Sequence, residues 1–146
     1  MGDHNYSPLL ARLLTYGHPD DVNDWQEYDQ LGLDHTHVPE LIQMVSDPAL
    51  QQEDLDGPAV WAPVHAWRIL ARLRAVKAIP ALLEQLAILD DGRRIDDLIM
   101  LEYPIVFHHI GPPAITALSE FLWDEQKPSF PRVCTGDCLA HIGAHH

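Results

Sequence analysis

At 146 residues, 47% of them hydrophobic, the chain is long enough to bury a core and too apolar for general disorder. A formal charge of −13 repels phosphate backbones and anionic lipid surfaces, which argues against nucleic acid and membrane as partners. No apolar run approaches the ~20 residues needed to cross a bilayer, and the start, MGDHNYSPLL, lacks the features of a secretion signal, so a cytoplasmic protein is expected. The charge is uneven: up to Asp56 there are twelve acids against one base, Arg12, and the remainder is nearly neutral.

In chain order, Ser7-Pro8 followed by LLARLLTYG predicts a helix, with Ser7 as cap, Pro8 in the first turn and Gly17 as the left-handed stop. HPDDVNDWQEYDQLG has no clear period and reads as a surface connection, with a short helix near Trp25. A second helix is predicted around residues 36–45, capped by Asp34 or Thr36, with Val38, Leu41, Ile42 and Val45 inward. Ser46–Pro58 is a loop with one helical turn after Asp47.

Residues 60–89 read as a helical hairpin. Ala66, Ile69, Leu70 and Leu73 form one apolar stripe, and His65, Arg68 and Arg72 mark the opposite, wetter face. Ile79, Leu82, Leu83 and Leu86 repeat the stripe, with Pro80 in the first turn. Asp91-Gly92 is a turn. Residues 93–110 are helical in composition, and Pro104 predicts a kink or two short helices. After Gly111-Pro112-Pro113, a helix over 114–123 turns Ile115, Leu118 and Leu122 inward, and a last one spans 131–142.

The chain contains near-copies of one unit. AIPALLEQL, from Ala78, aligns without a gap on AITALSEFL, from Ala114, at an offset of 36. VPELIQMV, from Val38, matches from Ile79 onward at an offset of 41, and VFHHIG, from Val106, resembles CLAHIG, from Cys138. Helix pairs recurring at this length describe a solenoid. These residues resemble the HEAT-repeat superfamily, especially the short phycobilin-lyase-type repeats with an Ala-Ile-Pro-x-Leu rhythm. WAPVHAWRILARL also looks like a stretch of bacterial HEAT-like proteins, from which no catalytic residue carries over. The resemblance implies an all-α fold, a short right-handed α-solenoid of HEAT-like hairpins over residues 36–146, preceded by an N-terminal helix and acidic connection over 1–35. The resemblance specifies fold and not chemistry; the repeat and the acidic charge together lead us to expect a non-enzymatic protein-binding module.

Equivalent positions on successive second helices stack in a solenoid, so Gln43, Glu84 and Glu120 are expected to form a polar strip facing a basic protein or peptide. An alternative is lyase-like or chromophore- or small-molecule-handling chemistry in a pocket at Trp61, His65 and Trp67. Cys134, Cys138, His141 and His145 share one helical face and could ligate zinc, although at 1.5 Å per residue the outer two are ~16 Å apart, which limits a metal to Cys134, Cys138 and His141. Against this, Cys138 aligns with Val106 and reads as a small core hydrophobe. Asp96, Asp97 and Glu102 form an acidic patch suited to a helix start. No cofactor motif occurs: GxGxxG, GxxxxGK[ST], GxSxG and HExxH are all missing from the sequence. The last helix lacks a partner, which predicts a homodimer through it or a longer natural chain.

Overall fold

The structure, a computed structural model, describes residues 6–51, 57–89 and 95–145, with His145 described by its backbone alone. The protein is all-α: every element among the described residues is an α- or 3-10 helix. None of these helices is long and apolar enough to cross a membrane. The chain divides into two units, Met1–Leu73 and Arg74–His146. The predicted turn at Asp91-Gly92 lies outside the described residues.

In the first unit, α1 (Pro8–Ala11) is one turn that tightens into a 3-10 helix over Arg12–Thr15. Gly17, at φ +96°, follows it as the expected left-handed stop. Ser7 does not cap through its side chain. Its N–H donates to the Glu40 carboxylate at 2.8 Å, tying the chain start to α2 (Val38–Val45). The short helix expected near Trp25 is present, and the mostly exposed stretch after Gly17 is anchored by a few buried side chains. Pro19–Asp21 and Trp25–Leu31 are 3-10 helices, and Pro19, Val22, Tyr28 and Leu31 are buried. A reciprocal cap starts the second of them: Asp24 accepts from the Gln26 N–H and Glu27 accepts from the Asp24 N–H.

Asp34 is the cap of the next turn, His35–His37, accepting from both the Thr36 N–H and hydroxyl. In α2 the inward residues are Val38, Leu41, Met44 and Val45, with Ile42 half-buried. The turn predicted after Asp47 is present at Pro48–Leu50, with Asp47 accepting from the Ala49 N–H. Packed against α2 and the Trp25–Leu31 segment is α3 (Ala62–Arg72), the centre of this unit. It has no wet face: every residue from Ala62 through Ala71 is buried, His65 and Arg68 included, and of the polar residues expected outside only Arg72 is exposed. Arg74, just beyond it, takes the left-handed conformation at φ +53°, a position that glycine usually fills.

The second unit centres on α7 (Ser129–His145), against which α4 (Ile79–Ala87), α5 (Asp96–Ile110) and α6 (Ile115–Trp123) all pack, so the expectation that the last helix lacks a partner is corrected. Of the two outcomes expected at Pro104, division into two short helices does not occur: α5 runs as one helix with Pro104 buried in it. A proline inside a helix removes one backbone bond and costs roughly 3 kcal/mol. Full burial of Ile99, Tyr103, Val106 and Phe107 around it more than offsets that, at about 1.5–3 kcal/mol per large apolar side chain. Gly111, at φ +86°, ends the helix, its N–H donating to the Phe107 carbonyl at 2.7 Å.

The sequence repeat reappears as a repeat of local structure. Three-residue 3-10 turns, His35–His37, Val76–Ala78 and Pro112–Ala114, lead directly into α2, α4 and α6. The helices also share a burial pattern. Leu41, Leu82 and Leu118 are fully buried, Met44, Gln85 and Phe121 are buried, and Gln43, Glu84 and Glu120 are exposed. The departures are Ile115, 41% exposed, and Leu122, half-buried. The predicted inward stripe of α6 is thus corrected from Ile115–Leu118–Leu122 to Ala114–Leu118–Phe121. Both stripes fit a helical period, and the structure buries the one that carries the aromatic ring. Cys138 and Val106 are both fully buried, as their alignment predicts.

Candidate functional site

Two exposed glutamates, equivalent in the repeat, meet in one place. Glu84 on α4 and Glu120 on α6 line an open groove of roughly 310 Å³ between these two helices. Pro80, Leu83, Ala87, Ala117 and Phe121 supply its apolar lining, and Asp124 and Lys127 complete it. A helical surface has neighbours at i+3 and i+4, which is why Pro80, Leu83, Glu84 and Ala87 fall on one face of α4, and Ala117, Glu120, Phe121 and Asp124 on one face of α6. Gln43 is exposed on α2 in the other unit, at the position equivalent to Glu84.

Lys127 reaches the groove through a turn. The Asp124 side chain accepts from the Gln126 N–H at 2.9 Å, and the Lys127 N–H donates to the Asp124 carbonyl at 3.0 Å. This closes the chain back over α6 and sets the Lys127 ammonium 5.4 Å from the centre of the Phe121 ring. The groove therefore combines three carboxylates, the rim of a mostly buried ring (Phe121 is 6% exposed) and one cation that covers that ring. Phe121, Asp124 and Lys127 were missed in the sequence. The Asp-x-Gln-Lys turn after the helix is the signal that could have found them.

The Trp61, His65 and Trp67 expectation is corrected by packing. His65 and Trp67 have no exposed surface, and Trp61 is half-buried with its ring 4.7 Å from that of His18. His65 Nε2 lies 2.8 Å from the Gly17 carbonyl and Nδ1 lies 2.6 Å from the Tyr28 hydroxyl. A carbonyl can only accept, so Nε2 carries the hydrogen and Nδ1 receives the Tyr28 O–H. Arg68 donates to that same hydroxyl and to the Pro19 carbonyl, both at 3.1 Å, and its guanidinium stands over the Trp25 ring. These side chains tie the segment from Gly17 to Tyr28 onto α3. A ligand has no surface of His65 or Trp67 to touch.

The metal candidates are not gathered. Cys134 and Cys138 are buried in α7 as free thiols, whereas His141 is exposed. The side chain of His145 lies outside the described residues. Burial pushes the Cys138 thiol well above its ordinary pKa, the reverse of what a thiolate ligand needs. Among the described residues, no three His, Cys, Asp or Glu side chains stand close enough to hold one metal ion. The acidic patch on α5 is split, with Asp96 and Glu102 buried and Asp97 exposed.

Comparison of the chain with protein-family models, curated proteins and solved structures finds no match. What fold and site define is an all-helical protein with an internally repeated turn-and-helix unit and an acidic, aromatic groove between two copies of it.

Proposed function

We propose that the chain is a short right-handed α-solenoid of HEAT-like hairpins and acts as a non-enzymatic, cytoplasmic binding scaffold. Its partner is a basic protein or peptide, received in the groove between α4 and α6. The observation that carries this reading is the convergence of Glu84 and Glu120, two repeat-equivalent carboxylates, on one groove with an apolar lining. Apolar walls supply affinity and a rim of one charge selects its opposite. The shared burial pattern of α2, α4 and α6 supports the repeat.

Selection of a random-peptide display library on the immobilised full chain tests the function. Sequences rich in lysine and arginine are expected to be enriched, and the exposed-site variant Glu84→Lys/Glu120→Lys is expected to lose them. Recovery of the same peptides by wild type and variant refutes the reading.

A second copy of the chain is a further partner, supported by apolar surface around the start of α7. Trp123 is 76% exposed and Val133 is 64% exposed, with Phe130 also exposed. Sedimentation equilibrium is expected to give a dimer that Trp123→Glu/Val133→Glu converts to a monomer. A monomeric wild type at the highest attainable concentration overturns this.

A further inference from the structure

The groove already holds a cation, and that cation is its own. Lys127 is half-buried, and its ammonium lies over the face of Phe121, inside a groove to which Glu84, Glu120 and Asp124 contribute carboxylates. An aromatic face attracts a cation through its quadrupole, and carboxylates around it add Coulombic attraction. The arrangement is that of a receptor for a basic side chain, occupied from within.

We infer that Phe121 with Glu84, Glu120 and Asp124 forms a subsite for one arginine or lysine side chain of a peptide partner, and that Lys127 is a built-in competitor which the incoming residue displaces. The inference rests on the proposed function of this groove and adds to it the recognition element and its regulation. Three features of the molecule favour displacement over permanent closure. Lys127 sits on a short turn after α6 and outside any helix, so it can swing away without unfolding a helix. The pairing it makes is the weak kind: a ring contact partly open to water, worth about 2- to 5-fold in affinity. The groove remains open beside it, with room for an incoming side chain. Arginine is favoured over lysine, because a planar guanidinium can lie on the ring and still direct N–H groups at carboxylates that line the same groove.

The consequence is counter-intuitive for a protein of this charge: removing one lysine should strengthen binding by more than its charge alone accounts for. The test uses fluorescence anisotropy with three labelled synthetic peptides, identical except for a central arginine, lysine or glutamine flanked by leucine and alanine. The full chain is compared as wild type, Lys127→Gln, Lys77→Gln and Glu84→Lys/Glu120→Lys. Lys77 is exposed and outside the groove lining, so Lys77→Gln changes the net charge equally without emptying the subsite.

The expected result is about 2- to 5-fold tighter binding of the arginine peptide by Lys127→Gln than by Lys77→Gln, with little gain for the glutamine peptide. Equal affinities for Lys127→Gln and Lys77→Gln overturn the competitor role. If the acid-reversal variant still loses binding in that case, the groove reading survives without it. Equal binding of the arginine and glutamine peptides overturns the cation subsite. Absence of binding to both wild type and Lys127→Gln overturns the subsite and the proposed function together.

Discussion

Tyr28→Phe removes a single oxygen atom from the first unit, and that atom stands at the junction of the buried polar cluster. Tyr28 is 2% exposed. Its hydroxyl donates to His65 Nδ1 at 2.6 Å and accepts from Arg68 at 3.1 Å, so both partners lose a buried bond and neither can turn to solvent at that point. A neutral buried hydrogen bond contributes about 1 kcal/mol and one to a charged donor about 1.5–3 kcal/mol, with a further penalty for groups left desolvated. The ring itself stays, so no cavity larger than the hydroxyl forms. The expected loss is roughly 2–4 kcal/mol, a large part of the stability of an ordinary domain. The comparison is Asp29→Asn, which weakens a bidentate pair with Arg72 that is partly open to water. Surface pairs of that kind contribute about 0–1 kcal/mol. Urea denaturation, followed by tryptophan fluorescence and by far-ultraviolet circular dichroism, measures both. If Tyr28→Phe costs no more than Asp29→Asn, the cluster does not hold the Gly17–Tyr28 segment onto α3.

Two further outcomes follow from burial and charge. Ile79→Ala is expected to destabilise by about 2–4 kcal/mol and Ile115→Ala by less than about 1.5 kcal/mol, although the residues are equivalent in the repeat, because Ile79 is 6% and Ile115 41% exposed; equal losses by urea denaturation would restore the regular stripe. Tyr6 donates to Asp47 at 2.6 Å, and burial first, then this bond and the charges of Asp47 and Glu40, raise its pKa above the ordinary 10.0. A raised folded-state pKa means stability is present below pH ~10 and is lost as pH rises past it. Tyr6→Phe should therefore flatten the alkaline limb of the denaturation midpoint against pH, and an unchanged limb would exclude Tyr6 as its source.

The elements that could be read along the chain are those whose determinants are local. Asp34 and Asp47 cap the turns they precede, Pro80 sits in the first turn of α4, and Leu41, Leu82 and Leu118 are all buried, because capping and helical period involve residues only a few positions apart. The copies at offsets of 36 and 41 likewise placed Gln43, Glu84 and Glu120 at equivalent exposed positions. Long-range packing overruled the rest. His65 and Arg68 look like the outer face of an amphipathic helix, and they are buried because the carbonyls of Gly17 and Pro19, 48 and 49 residues earlier, accept their hydrogen bonds. Pro104 left open a kinked helix or two short ones, and the surrounding burial carries one helix through it. In α6 two stripes were equally periodic, and packing buried the one that includes Phe121. A helical period identifies which residues share a face; which face meets protein, and which polar group finds a distant partner there, is decided only when the other elements fold against it.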